Sequence, residues 1–247
     1  MEKLVTRGIT YKGLRELFNK DDELIKQTLY NLKNKDLNIR LFAEADAYWA
    51  NILKVDVKDV YYGDILLKDG QTLDHKYLIG RLVIPEGAKC NTDNLVGVIG
   101  SIKSNGTKTF RNLEFVSSYI YFEATHSDVR TPVILPKLKY CNDITLYHCT
   151  IKELALERVN KANLSLSRIK DFHIKVANEL RMSSAHVQDI SSLEEVNILN
   201  IRSIPSTQLI YNPNLVIYDH FICVQNKEFV AKLSKHLASN IEKSSLY

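Results

Sequence analysis

A ten-residue repetition of apolar residues at 144–176 constrains the fold of this chain more than any other feature. In each repeat, two apolar residues flank one residue that is mostly small or polar. A third apolar residue lies three positions after the second. An apolar pair of this kind is typical of a short strand that points both side chains to one side. The columns are Ile144, Leu154, Leu164 and Ile174; Leu146, Leu156, Leu166 and Val176; and Cys149, Val159 and Ile169.

This repetition predicts a β-solenoid, a body of short strands wound into stacked coils. Stacking buries a continuous apolar core and pairs each strand with the coils above and below it. Two or three repeats in each turn would give coils of about 20 or 30 residues. The pattern loses its register after Val176, so we expect irregular coils with insertions.

Strand-like sequence extends well beyond this repetition. Short runs rich in β-branched and aromatic residues begin near Val60 and end at turn signals, as at Tyr77–Ile84 before Pro85-Glu86-Gly87. No long amphipathic helix separates these runs, which disfavours a βαβ arrangement. We therefore predict that residues 59–247 form an irregular right-handed β-solenoid.

Helical patterning is confined to the two ends of the chain. Residues 1–58 carry apolar residues at helical spacing and predict a helical head, and 226–243 predict a helix that caps the solenoid. The predicted fold class is therefore α+β. The apolar residues that support these helices are Leu14, Leu17, Phe18, Leu24, Ile25, Leu29 and Leu32 in the head, and Phe229, Leu233, Leu237 and Ile241 in the cap.

The head contains the segment Ile9-Thr10-Tyr11-Lys12-Gly13, followed by apolar helical runs at 14–18 and 24–32 and a hydrophobic segment at 37–45. This arrangement resembles a small helix-turn-helix module found in phage proteins and beside homing endonucleases. The resemblance implies that the second helix enters the major groove of duplex DNA. A helical cap or a protein-docking head is the alternative. The DNA-binding residues that the resemblance implies are Lys12, Arg15, Lys26, Gln27, Asn31, Lys33, Lys35 and Arg40.

Composition and charge exclude few classes of function. The net charge is +4, which permits contact with a polyanion without demanding one. No stretch of about 20 apolar residues occurs, so no membrane partner is expected. The N-terminus lacks the apolar core of a signal peptide, and the four cysteines form no CxxC pair. A cytoplasmic protein is expected, in the host cytoplasm if the chain is phage-encoded.

Catalytic motifs, metal sites and cofactor sites are not predicted from the sequence. Cys141, His148 and Cys149 are close enough to suggest zinc, but Cys149 occupies an apolar column, which favours core packing. Asp143 and Asp171, with Asp189, offer a carboxylate set of the kind used in polysaccharide cleavage, although turn propensity also explains them.

The function that these features favour is non-enzymatic binding of a macromolecule. A solenoid presents a long, fixed surface, so a protein partner is expected, with duplex DNA as the second candidate. The phage-like head suggests a mobile-element protein that regulates transcription or inhibits a host defence complex. The alternatives are a β-helix protein that binds or cleaves carbohydrate and an accessory protein of a particle. The sequence leaves the oligomeric state open.

Overall fold

The computed structural model describes residues 50–51, 53–124, 132–202 and 209–224, with the backbone alone for 202 and 218–224. Strands hold 58% of the described residues, and the elements between Val57 and Val224 include no α-helix. The predicted α+β class is therefore wrong for the described part of the chain, which is nearly all β and forms parallel solenoid coils. Most of the predicted head (1–58) and the whole predicted cap helix (226–243) lie outside the described residues.

The chain divides into two compact units, and unit 1 comprises residues up to Phe122 together with Leu135–Asp143. After a short 3-10 turn at Val57–Asp59, its strands are β1 (Val60–Tyr62), β2 (Ile65–Leu66), β3 (Tyr77–Ile84), β4 (Gly97–Ser104) and β5 (Phe115–Glu123), of which only the last residue belongs to unit 2. They pair in parallel in the order β1-β3-β4-β5, and β2 also lies beside β3. The strand predicted at Tyr77–Ile84 is confirmed.

The register of these pairs gives the length of each coil. Val60 lies beside Tyr77, Tyr77 beside Gly97, and Gly97 beside Phe115, so successive coils contain 17, 20 and 18 residues. Apolar residues at equivalent positions therefore stack and form the core of the unit. One such stack consists of the fully buried residues Leu82, Ile102 and Ile120.

Strands β3 and β4 bend at Gly80 and Gly100, which are paired in the register. Their φ angles are 149° and 146°, a conformation that L side chains rarely adopt. A Cβ atom on Gly100 would lie 1.8 Å from the backbone oxygen of Gly80, and one on Gly80 would lie 2.1 Å from that of Gly63. Both the backbone conformation and the close approach of the coils require glycine at these positions.

Unit 2 comprises Glu123–Ile134 and the residues from Ile144 onward. The strands β6 (Pro132–Leu135) and β7 (Tyr140–Tyr147) have residues in both units. Unit 2 then contains β8 (Thr150–Asn163), β9 (Arg168–Ser183), β10 (Asp189–Ile190), β11 (Glu195–Arg202), β12 (Ile210–Tyr211) and β13 (Val216–Val224). Its long strands pair in parallel in the order β8-β9-β11-β13, while β10 and β12 form a separate pair.

The buried residues of unit 2 follow one another at intervals of two and three. In β8 they are Ile151, Leu154, Leu156, Val159 and Ala162. An interval of two is ordinary strand alternation, whereas an interval of three leaves two consecutive residues outside and turns a corner. Seven such intervals span the 18 residues of one coil, a mean of about 2.6, so every fourth inward position lies about ten residues further on. The ten-residue columns therefore run around a coil.

Coils of unit 2 stack with a different period. Leu154 lies beside Phe172 and Leu156 beside Ile174, a separation of 18 residues that holds along the whole β8–β9 pair. The shorter of the two predicted coil lengths, about 20 residues, is close to what the structure shows, and the longer one, about 30, is wrong, because the chain closes each turn after seven inward positions. The prediction that the columns face the core is confirmed for all their members except Leu166 and Val176, which are half-buried.

Polar side chains on the outside of unit 2 also stack from coil to coil. The Nδ2 atom of Asn178 donates a hydrogen bond to Oδ1 of Asn160 at 3.2 Å. The Nδ2 atom of Asn197 in turn donates to Oδ1 of Asn178 at 3.1 Å. This asparagine ladder joins three coils and holds the same register as the apolar core.

Candidate functional site

A seven-residue segment recurs on three successive coils of unit 2, at 148–154, 166–172 and 184–190. Each copy begins with a residue of positive φ and a small inward residue, followed by outward and inward residues in alternation. A carboxylate and a buried apolar residue complete it. The register places equivalent residues side by side, with Arg168 between Thr150 and His186.

The first residue of each copy turns the chain onto the face that carries the outward residues. His148, Leu166 and Ser184 have φ angles of 54°, 57° and 52°, in the left-handed region. Unlike the conformation of Gly80 and Gly100, this region is open to L residues at a cost of about 1–2 kcal/mol. The corner of unit 2 therefore recurs without glycine.

A buried hydroxyl fixes the backbone behind this corner. Ser167 is fully buried, and its Oγ accepts a hydrogen bond from the backbone N–H of Cys149 at 3.0 Å. The same Oγ donates to the carbonyl oxygen of Leu146 at 2.8 Å. Because these bonds connect neighbouring coils, they hold Thr150 and Arg168 in line at the start of the outer face.

The outward residues of the three copies line a groove with a volume of about 630 Å³. We call it the basic groove. The buried residues Ile151, Ile169 and Val187, each at most 4% exposed, belong to its described lining. Every polar side chain of the described lining can donate a hydrogen bond. These polar residues are Thr150, Lys152, Arg168, Lys170, His186 and Gln188.

Three of the lining residues, Lys152, Arg168 and Lys170, bring positive charge to the basic groove. Within the described ranges, no salt bridge neutralises any of the three. Elsewhere in the same unit, by contrast, Glu179 pairs with Arg181 and lies 3.9 Å from the Lys161 ammonium. The basic groove is therefore a concave surface that combines positive charge with hydrogen-bond donors, the combination that binds carboxylate or phosphate groups.

An acidic border, formed by Glu153, Asp171 and Asp189, lies directly beside the basic groove. These residues follow Lys152, Lys170 and Gln188 in the sequence, one on each coil. Hydrogen bonds from Ser191 lower the pKa of Asp189. The bond from the Ser191 hydroxyl has the larger effect, and the bond from the Ser191 backbone N–H, at 2.7 Å, has the smaller one. Asp189 is therefore ionised at neutral pH, and the border carries negative charge.

The predicted DNA-binding residues, from Lys12 to Arg40, all lie outside the described residues. Of the predicted carboxylate set, Asp171 and Asp189 belong to the acidic border, where the register places Glu153 beside Asp171. Asp143 belongs to unit 1. In the described part of the chain, no group of three or more His, Cys, Asp or Glu side chains is arranged to hold a metal ion.

The thiols considered for zinc are part of the core. Cys141 and Cys149 are fully buried, which confirms the core-packing interpretation. Burial raises the pKa of the Cys141 thiol far above its ordinary value, so that this thiol stays protonated. A protonated thiol is neither a metal ligand nor a nucleophile.

Sequence reasoning missed the basic groove, although the sequence contains a signal for it. The signal is the alignment of 150–154, 168–172 and 186–190 at a period of 18, in which an aliphatic residue, a Lys or Gln and a carboxylate recur in order. A period of ten places these residues in different columns. The groove becomes visible only when the coil length is known.

Comparison of the chain with protein-family models, with curated proteins and with solved structures finds no match. Among the described residues, no helix has the length and apolar character needed to cross a membrane.

Proposed function

We propose that this chain is a non-enzymatic binding protein that holds an acidic protein partner in the basic groove. The observation that carries the proposal is the group of three cations, Lys152, Arg168 and Lys170, around one concave surface. Cations that already form salt bridges would lose those bonds when a ligand bound. Because none of the three has such a bond within the described ranges, each can pair with an anionic group at little cost.

The lining of the basic groove supports binding and offers little support for hydrolysis. Carbohydrate cleavage by a β-helix enzyme needs two carboxyl groups on opposite sides of the scissile bond. The described lining contains donors and cations, and the three carboxylates of the acidic border follow it together on one side. The fixed backbone of the stacked coils also holds the donors in place before binding, which lowers the entropic cost of association.

The acidic border favours a protein partner over a nucleic acid. Adjacent strand residues are about 3.3 Å apart, and charges act over a screening length of about 8 Å at physiological salt. A phosphate backbone that leaves the groove past Asp171 would therefore meet repulsion. A protein can instead place a basic residue opposite the border, so that both columns of charge are matched.

A binding measurement with a defined polyanion tests this proposal. Fluorescence anisotropy of labelled poly-L-glutamate would be measured with the full chain, with Lys170→Glu and with the control Lys175→Glu. Lys175 is exposed on the same strand, β9, but does not line the groove. We expect at least a tenfold loss of affinity for Lys170→Glu and less than a twofold change for Lys175→Glu. Equal effects of the two substitutions would refute the proposal.

Duplex DNA is the competing ligand in the same assay. The resemblance of the head to a helix-turn-helix module predicts salt-sensitive DNA binding that is lost when Lys26, Lys33 and Lys35 are neutralised. DNA binding that instead depends on Lys170, and that exceeds the affinity for poly-L-glutamate, would show that the groove holds nucleic acid.

A further inference from the structure

We infer, on the basis of the proposed function, that the partner segment is extended and presents carboxylates on alternate residues, an acid-x-acid pair that faces Arg168 and Lys170. Three features support this: the spacing of Arg168 and Lys170 along β9, the position of Lys152 beside Lys170, and the narrow width of the outer face that carries them.

The spacing of the two cations along β9 matches that of an extended peptide. Arg168 and Lys170 are both exposed and lie on either side of the buried Ile169, so they point outward together. Two residues of a strand span about 6.6 Å. Alternate side chains of an extended partner have the same spacing and also point to one side, so two carboxylates can face two cations without strain.

The third cation strengthens one end of this pair. The register places Lys152 beside Lys170, because Ile151 pairs with Ile169 and Glu153 with Asp171. Neighbouring parallel strands are about 4.8 Å apart. One carboxylate of the partner therefore faces two lysines, while the other faces the Arg168 guanidinium, which can bind a carboxylate with two parallel hydrogen bonds.

The width of the face disfavours a helical partner. Between the corner at Leu166 and the acidic border at Asp171, the chain has only two outward residues, Arg168 and Lys170. A helix with its side chains is about 10–12 Å across. An acidic helix centred on the groove would overlie the border and bring its carboxylates against those of Asp171 and Glu153.

Three labelled peptides with equal numbers of glutamates test the inference on the full chain by fluorescence anisotropy. The first alternates glutamate with threonine, the second has the same composition with its glutamates in one block, and the third is an alanine-based helix with glutamates at i, i+4 spacing. We expect the alternating peptide to bind at least fivefold more tightly than the other two. Arg168→Glu and Lys170→Glu should each weaken its binding at least tenfold, and Lys175→Glu less than twofold.

A milder variant protects the test against a failure to fold. Gln188 occupies the position of Lys170 on the next coil, so the solenoid accepts glutamine there. Lys170→Gln should therefore fold normally, as circular dichroism would show, and should weaken binding of the alternating peptide about threefold, since one of three cations is lost.

The possible failures are distinguishable. If the block or helical peptide binds as tightly as the alternating one, and binding still depends on Lys170, the inference about spacing is overturned and the proposed function stands. If no peptide shows any dependence on Lys170 or Arg168, the proposed function itself fails.

Discussion

Unit 1 and unit 2 both contain residues of positive φ, but unit 1, besides left-handed residues such as Gly70 and Gly87, also has glycines of much larger φ inside its strands. Unit 1 bends at Gly80 and Gly100, where φ is close to 150° and the neighbouring coil is too near for any Cβ atom. Unit 2 turns at Leu166 and Ser184, where φ is between 52° and 57° and side chains are accepted. The corner of unit 1 is fixed by steric exclusion, while that of unit 2 tolerates several residue types.

This difference matters for function because the tolerant corner precedes the basic groove. In unit 2 the turn does not require glycine, so side chains are present at the turn and after it on each coil. In unit 1 the glycines of large positive φ lie inside the strands β3 and β4, where they present no side chain. A surface that must present aligned side chains is therefore easier to build with the corner of unit 2.

The largest effect is expected for Gly100→Ala. Its Cβ atom would lie 1.8 Å from the Gly80 carbonyl oxygen, and backbone atoms cannot move aside without separating the coils. We expect the free energy of unfolding to fall by about 5 kcal/mol or more, measured by urea titration with circular dichroism. Gly87→Ala is the matched control: φ there is 72°, but no atom lies within 4 Å of the added Cβ, so the loss should be about 1 kcal/mol.

A smaller but still large effect is expected in unit 2 for Leu164→Asp. Leu164 is fully buried, so the carboxylate would lose its hydration without gaining a partner, at a cost of about 4 kcal/mol. Thermal unfolding of the purified variant measures this loss.

Leu166→Asp serves as the comparison for Leu164→Asp. Leu166 is half-buried, and aspartate tolerates the left-handed conformation of this corner. A change below about 1 kcal/mol is therefore expected. If both substitutions are equally harmful, the alternation of inward and outward positions at the turn before β9 is contradicted.

The smallest effect is expected for Ser184→Gly. Glycine removes the cost of the left-handed conformation but adds freedom to the unfolded chain, so the two terms nearly cancel and the net change should stay below about 1 kcal/mol. Ser184→Val should instead destabilise by about 2 kcal/mol, because a β-branched side chain is poorly accommodated at positive φ. A loss of several kcal/mol for Ser184→Gly in the same urea titration would show that the two corners do not differ as described.

The same difference explains what the sequence could predict. Glycines and turn residues delimit the strands of unit 1, so the limits of Tyr77–Ile84 could be read from residue types alone. The period of unit 2 was hidden, because its corner is occupied by His148, Leu166 and Ser184, which share no chemical property. Inward residues could be recognised by hydropathy, but their intervals of two and three also generate a spacing of ten.

The basic groove was harder to predict for a further reason. Its outer residues occupy equivalent positions only after the coils are stacked, and the first column changes from Thr150 to Arg168 to His186. Long-range register, which no local pattern specifies, creates the site. The α+β class is wrong for the described residues because their inward positions recur at the short intervals of strands, while the helical periodicity of the sequence lies at the ends of the chain, outside the described residues.

The equal length of the two coils behind the basic groove has an evolutionary consequence. Residues 150–167 and 168–185 are interchangeable in register, whereas the step from Val176 to Glu195 contains one more residue and is accommodated outside the groove. Tandem duplication of residues 168–185 would therefore insert another Arg and Lys into the surface while keeping the register of the neighbouring coils. A protein with this architecture can lengthen its contact in units of 18 residues.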